Sequence, residues 1–430
     1  MQSSIRFNYI ENKEFIHLVL SNLPNYSTFC VLHSNEINSP LLHDEYDFIF
    51  GLGSQKQFQS NNPINWDFFN TLEQQNCFLM GFISYAYNKD FWKISEKKST
   101  IAPPANSFWF APQYLIYKRK EEKEFVIYGE NPSEFYHSIL QSQIAPLESS
   151  PEFKHEFLPL LSKEKYIHTI EKIREDIKNG EYYEINYCQE FISNKFNSDP
   201  FLIWEKIRNS NKAPFSAFFR HHSFFSISLS PERFLKRKAN ILLSQPIKGT
   251  AMRGGTELED EKNKSNLQNS EKERAENIMI VDLVRNDLSR VCEVGTVSVE
   301  ELCGIYSFKN VHQMISTISG KQLEKTKLGE ILKNTFPMGS MTGAPKRMVV
   351  ERASEYEVSA RGLYSGSIGY LESNGNFDLN VVIRTLIIDT EKKIASFHVG
   401  GAITYDSDPF AEYEECMLKG KFWLDLFKNN

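Results

Sequence analysis

The chain is 430 residues long, 41% hydrophobic and 24% charged, an ordinary globular composition with ample material for a core. A net charge of −6 provides no basic field and argues against nucleic acid as a partner, while a few local cations can still hold a small anion. Six scattered cysteines without a CxxC pair, an acidic N-terminal stretch and no run near the roughly 20 apolar residues that span a bilayer point to a soluble, cytoplasmic protein.

Residues 1 to about 150 mix short β-like runs ("FCVLHS", "DFIFGLG", "CFLMGFISYAY", "EFVIYG") with polar loops such as "KKSTIAPPANS". "QSQIAPLESSPEFKHEFLP" reads as a connector into the second half. A helix follows in "SKEKYIHTIEKIREDIKNGE". Tyr166, Ile170, Ile173 and Ile177 recur there at helical spacing, Ser162 is the N-cap, and Gly180 ends the run. Two β-like stretches, "FSAFFRHHSFFSISLS" and "ANILLSQPIKGT", precede a charged helix at about 268–288. Beyond it come "VGTVSVEEL" and the Gly-rich "FPMGSMTGAPKRM", which leads into a helix. A strand pair in "SGSIGYLESNGNFDLNVVIRTLIID", the strand "ASFHVGGAITY" and a last helix in "DPFAEYEECMLKGKFWLDLF" complete the chain. Strands and helices do not alternate one for one, so the spacing predicts α+β with large antiparallel sheets. GxGxxG and Walker loops are both missing, so no dinucleotide or nucleotide site is argued.

Lys248, in "SQPIKGT", sits where a strand runs out of core. It either snorkels to water or is desolvated to act as a nucleophile. Two helices carry paired acids, Glu273 with Glu276 and Glu412 with Glu415. An i, i+3 spacing puts each pair on one face, and two such faces meeting would supply oxygens for a hard dication. Glu276 precedes the apolar "IMIVDLV", which places it near the buried side. Arg384 lies in an otherwise apolar strand-like run and needs a carboxylate, from a ligand or an internal Asp. Glu232, after Pro231, is either a protonated general acid or the ion-pair partner of Arg233. Asp282, Arg285 and Arg290 read as helix-surface ion pairing.

Taken together, "SLSPERFL", "QPIKGTAMRG", "RAENIMIVDLVRNDLSRV", "FPMGSMTGAPKRM", "SGSIGY", "DLNVVIRTL" and "AEYEEC" resemble the chorismate-utilising enzymes. That family includes the anthranilate, aminodeoxychorismate, isochorismate and salicylate synthases. The likeness is dense over about 160–425 and loose before 150. It implies two large antiparallel sheets packed face to face with helices outside. Residues 1–150 would be a β-rich region of the same intertwined domain as the chorismate-binding core at 151–430. Lysine in "PIKGT" marks the branch that makes 4-amino-4-deoxychorismate, for 4-aminobenzoate and folate synthesis. Lys248 would then attack C2 of chorismate and form a covalent intermediate. The resemblance further implies Mg²⁺ held by Glu276 and Glu415, with Glu273 and Glu412 reaching it through water. Glu232 becomes the acid that protonates the departing C4 hydroxyl. Arg384 and Tyr364 bind the enolpyruvyl carboxylate, and Ser340, Gly400 and Lys419 line the ring-carboxylate end, with Thr250 also at the substrate. Ammonia would come from a separate glutamine amidotransferase subunit. The segment "KAPFSAF" (212–218) falls where some relatives bind tryptophan.

Two positions depart from the family pattern. "YEIN" puts Glu184 where glutamine is usual, beside the C2 nucleophile; a lysine there would mark the water-adding synthases. "VHQMIS" puts Gln313 where a histidine is usual, with His312 one residue out of register and facing the other way in a strand. Anthranilate synthase component I is the alternative enzyme, and the two departures keep open a non-catalytic chorismate-binding subunit. A neutral Lys248 requires its pKa to fall from about 10.4 to 7–8, roughly 3–5 kcal/mol, which burial can supply.

Overall fold

In this computed structural model, residues 2–35, 45–61, 65–88, 92, 94, 97–142, 153–208 and 212–428 are described. Most of the connector read at 141–159, and with it the division near 150, lies outside them.

The strands form a 12-stranded and a 10-stranded sheet, with antiparallel pairing throughout the two. The larger sheet runs from the first strand, Gln2–Asn8, through Tyr46–Leu52 and Thr28–His33 to the hairpin Phe215–His221 and Phe224–Ser230. It continues through Thr385–Asp389 and Ile394–Ile403 to Glu184–Asn194. The smaller runs from Ile247–Met252 and Val311–Lys321 through Ile241–Gln245, Arg233–Lys238 and Phe377–Asn380 to Leu79–Ile83 and Ser107–Ala111. Both sheets therefore draw strands from the first and second halves of the chain.

One cluster of buried side chains joins Cys30, Ile49, Ala217, Phe219 and Ile387 of the larger sheet to Met80, Phe82, Phe108 and Ile368 of the smaller. Phe82 meets Phe219 edge-on across this layer, with ring centroids 5.3 Å apart. Alternation along the strands places these residues inward, and each large side chain removed from water contributes about 1.5–3 kcal/mol. Two further clusters pack helices on the outer faces. These are the large antiparallel sheets of the α+β fold that the spacing predicted, packed face to face as the resemblance implied.

The helix Lys163–Lys178 starts as read. The Ser162 side chain accepts from the Lys165 amide, Tyr166, Ile170 and Ile173 are buried, and Gly180 takes φ +82°. The charged helix read at about 268–288 is Glu271–Ser289, capped by Ser270, which accepts from the Glu273 amide, and a separate helix precedes it at Glu257–Asn269. That preceding helix, missed in the sequence, carries too few apolar residues to show a helical stripe; only Leu267 is buried. Arg285 pairs with Asp282 at 2.7 Å, as helical spacing suggested, while Arg290 donates instead to Asn286. Among the described residues, no helix is long and apolar enough to cross a membrane.

Candidate active site

Glu232 and Arg384 owe their positions to the same device. After Ser230 the chain leaves the larger sheet and enters the smaller at Arg233, with Glu232 on the link. After Asn380 it leaves the smaller sheet and enters the larger at Thr385, with Arg384 on the link at φ +50°. The two crossovers are bonded side by side: the Val381 amide donates to Glu232 O and the Leu229 amide to Arg384 O. The run that read as a continuous strand through Arg384 is thus broken at Val381–Arg384. Arg384 is exposed as a residue, while the surrounding protein desolvates its guanidinium, which has no hydrogen-bond or ion-pair partner among the described residues. It faces Glu232, whose charge opposes the lowering of its pKa by burial. An internal Asp partner is thereby ruled out. The guanidinium is free for an anion.

Glu232 is buried, and it is not the partner of Arg233, which is bound by Asp378 at 2.9 Å. Burial pushes the Glu232 carboxyl up to about 7, against the pull of neighbouring Ser340, Lys248 and Arg384. The Ser340 side chain is itself buried and its hydroxyl makes no hydrogen bond of ordinary geometry.

Lys248 is presented by a β-bulge. Ile247 pairs with Ile315 and Thr250 with Gln313, so three steps on one strand face two on the other. Gly249 absorbs the extra residue at φ +90°. The bulge turns the lysine out of the sheet and inward, where it is 9% exposed. Its Nζ lies 2.9 Å from Glu184 Oε1, at the start of a strand of the other sheet, and Glu184 is 1% exposed. Gly343 secures that strand end: a Cβ there would meet Glu184 O at 2.0 Å. The chemistry of the lysine differs from the sequence expectation. Burial does lower its pKa, but Glu184, Glu276 and Glu232 outweigh burial and raise it. The resting residue is an ammonium. Snorkelling is excluded, since the head is buried with a carboxylate.

The helices Glu271–Ser289 and Pro409–Phe427 bring their acidic faces together. Lys272 marks the meeting point, 3.9 Å from Glu276 and 3.4 Å from Glu412. Glu276 Oε1 is buried without a hydrogen bond, and burial, reinforced by Glu184 and Glu273 against Lys248, pushes this carboxyl up to about 7. Burial and Glu415 likewise raise Glu273. Glu415 is held below the carboxylate range, against burial, by Lys419 at 2.8 Å. Lys419 also donates to Gly400 O at 3.0 Å, and Gly400 allows its strand to close on Tyr187, whose carbonyl a Cβ would meet at 2.1 Å. Among the described residues, acidic, histidine and cysteine side chains do not close into a ligand cage of three or more. Four carboxylates facing one another across an ammonium, one with an orphaned oxygen, suit a dication that keeps its waters and takes one or two carboxylates, which is the preference of Mg²⁺.

A family model for chorismate binding enzymes matches residues 36–425. This chain belongs to that family. It is 47% identical over 285 residues to the chloroplastic aminodeoxychorismate synthase of Arabidopsis thaliana, covering 65% of this chain and 31% of that protein. It is 32% identical over 344 residues to anthranilate synthase component 1 of Saccharolobus solfataricus, covering 80% of this chain and 79% of the relative. The chain thus spans about a third of the length of the plant relative. The fold matches the crystal structure of anthranilate synthase component I from Streptococcus pneumoniae with a TM-score of 0.78 at 24% identity, covering 90% of this chain and 98% of that one.

Within this chorismate-binding chain, the remaining expected residues divide. Tyr364 is buried against His398, with stacked rings 5.0 Å apart, on the turn leading to Ser365, whose amide bonds to Val382 beside Arg384. Thr250 is exposed at the bulge, opposite Gln313. His312 faces away, as the register required: its ring bonds Ser307 at 2.8 Å and Asp260 at 3.0 Å. Within 212–218, Pro214, Phe215 and Ser216 line a small cleft of about 60 Å³ with His33, Ser34, Asp47 and Tyr370; this cleft shares no lining residue with the Lys248 site. Lys272 was not singled out in the sequence. Its i, i+4 spacing to Glu276 was the available signal, and only the meeting of two helices adds Glu412.

Proposed function

We propose that this chain is the chorismate-converting component of an aminodeoxychorismate synthase, turning chorismate and ammonia into 4-amino-4-deoxychorismate for 4-aminobenzoate and folate synthesis. The observation that carries this reading is Lys248, buried beside Glu184 and within the field of Glu232, where a small residue would leave space for a free nucleophile. Lys248 Nζ attacks C2 of the ring. Glu232, kept protonated by burial, protonates the hydroxyl leaving C4. The free Arg384 guanidinium binds the enolpyruvyl carboxylate together with Tyr364, while Ser340, Gly400 and Lys419 border the ring carboxylate. Glu276 and Glu415 would hold Mg²⁺, with Glu273 and Glu412 supporting it through water. When bound, the ion supplies positive charge against the ring carboxylate as electron density builds there. Ammonia comes from a separate glutamine amidotransferase.

A second reading, anthranilate synthase component I, is favoured by the longer match to the Saccharolobus protein. The higher identity to the plant aminodeoxychorismate synthase argues for the first. Incubation with chorismate, ammonium and Mg²⁺ followed by product identification tests the choice. 4-Amino-4-deoxychorismate supports the proposal, anthranilate replaces it with the second reading, and no turnover overturns both.

A further inference from the structure

We propose that Glu184 is the proton acceptor of the nucleophilic lysine, taking a proton from Lys248 Nζ before attack and returning it when Lys248 departs. The inference rests on the reading of Lys248 as the nucleophile. An ammonium has no lone pair, so Lys248 must lose a proton inside the site before it can form a bond to carbon.

The groups facing Lys248 are Glu184 from the larger sheet, Glu232 from the crossover, Glu273 and Glu276 from one helix and Glu415 from another. Of these, only Glu184 lies within contact distance, at 2.9 Å. Both partners are buried, so bulk water has little access to the proton. The second oxygen of Glu184 is buried and has no donor among the described residues, where Lys248 is the cation paired with this carboxylate. Such a pair needs no displacement of atoms to pass one proton across its own hydrogen bond.

The steps balance. Glu184 carboxylate takes one proton and becomes the acid, leaving Lys248 as a neutral amine. The amine lone pair forms the N–C2 bond. The two ring double bonds each shift by one position, from C1=C2 to C1=C6 and from C5=C6 to C4=C5. The C4–O electron pair leaves on oxygen, which Glu232 protonates to water. When ammonia forms the C4–N bond, the C2–N pair returns to Lys248. The released amine then recovers its proton from Glu184.

The test measures covalent adduct on Lys248 by intact mass and peptide mapping, using the full chain with chorismate and Mg²⁺ but no ammonia. Wild type is compared with Glu184→Gln, which keeps a polar side chain of the same shape but cannot accept the proton. Both enzymes share the titration of Glu232, so the ratio of their rates isolates Glu184. Wild type is expected to form adduct about a hundredfold faster near pH 6.5, the usual size of general-base assistance, with the ratio falling by up to about tenfold per pH unit as solvent deprotonates the lysine. A ratio near one at every pH, or a faster variant, would overturn the proposal while leaving Lys248 as the nucleophile. No adduct in wild type at any pH overturns the underlying reading and this inference with it. Should Glu184→Gln not fold, Glu184→Asp decides. A slower rate whose ratio to wild type is independent of pH supports the proposal, and a ratio that changes with pH overturns it.

Discussion

Lys248 and Glu184 stand on strands of different sheets and meet at 2.9 Å, so the pair exists only where the two sheets close on one another. Glu232 and Arg384 lie on the two links by which the chain passes between those sheets. These four side chains are thus held by backbone that cannot shift without disturbing both layers, the rigidity that the proposed nucleophile requires.

Lys248→Ala is expected to abolish the covalent adduct formed from chorismate without ammonia. It opens space that ammonia or water can enter, so residual turnover with an altered product mixture is expected rather than a dead protein. Lys248→Arg should be worse than its conserved charge suggests, because a guanidinium does not deprotonate to attack. Product analysis by chromatography checks both. Wild-type rates and products from Lys248→Ala would remove the lysine from the mechanism.

For the dication, Glu276→Gln and Glu415→Gln are each expected to abolish activity and to weaken Mg²⁺ binding, followed by calorimetry, by about 10–100-fold. Glu273→Gln and Glu412→Gln remove water-mediated contacts and should cost less. Lys272→Gln removes the ammonium that links Glu276 to Glu412 and should tighten binding of the ion. Unchanged Mg²⁺ affinity in Glu415→Gln contradicts the assignment.

Stability without metal should depend on pH through Glu232 and Glu276. Both carboxyls are raised from 4.5 to about 7 by burial. Between those values the folded state holds protons that the unfolded state has released, so stability falls as pH rises through that window. Each group lowers stability above pH 7 by on the order of 3 kcal/mol. Glu232→Gln should flatten part of this decline, measured by urea unfolding from pH 4.5 to 8 in chelator. A slope identical to wild type would show that Glu232 is ionised throughout.

Gly343→Ala should damage the site from a distance. The added Cβ meets Glu184 O at 2.0 Å, and φ +135° disfavours any side chain. Loss of several kcal/mol of stability or displacement of Glu184 is expected, so thermal unfolding and the Lys248 adduct assay should both respond.

Gln313→His is expected to be tolerated, because the family resemblance implies a site that accommodates histidine at this position. A folded but inactive variant would show that Gln313 does not occupy that place opposite Thr250.

The sequence by itself determined whatever depends on neighbours along the chain. Ser162 and Gly180 bounded a helix because capping and positive φ are local properties. Hydrophobic spacing identified most strands, and the one-residue offset between His312 and Gln313 was enough to face them apart. Motif likeness pointed to the carboxylate pairs and to Lys248. Tertiary structure decided the rest, because those properties arise between segments distant in sequence. The break at Arg384 is set by a change of sheet, which hydrophobicity does not record. Arg233 chose Asp378 over adjacent Glu232 because strand pairing, not sequence adjacency, brought the carboxylate to it. The sign of the Lys248 shift could not be read locally: burial alone lowers the pKa, and the three acids that reverse it arrive from a strand, a helix and a crossover folded around one ammonium.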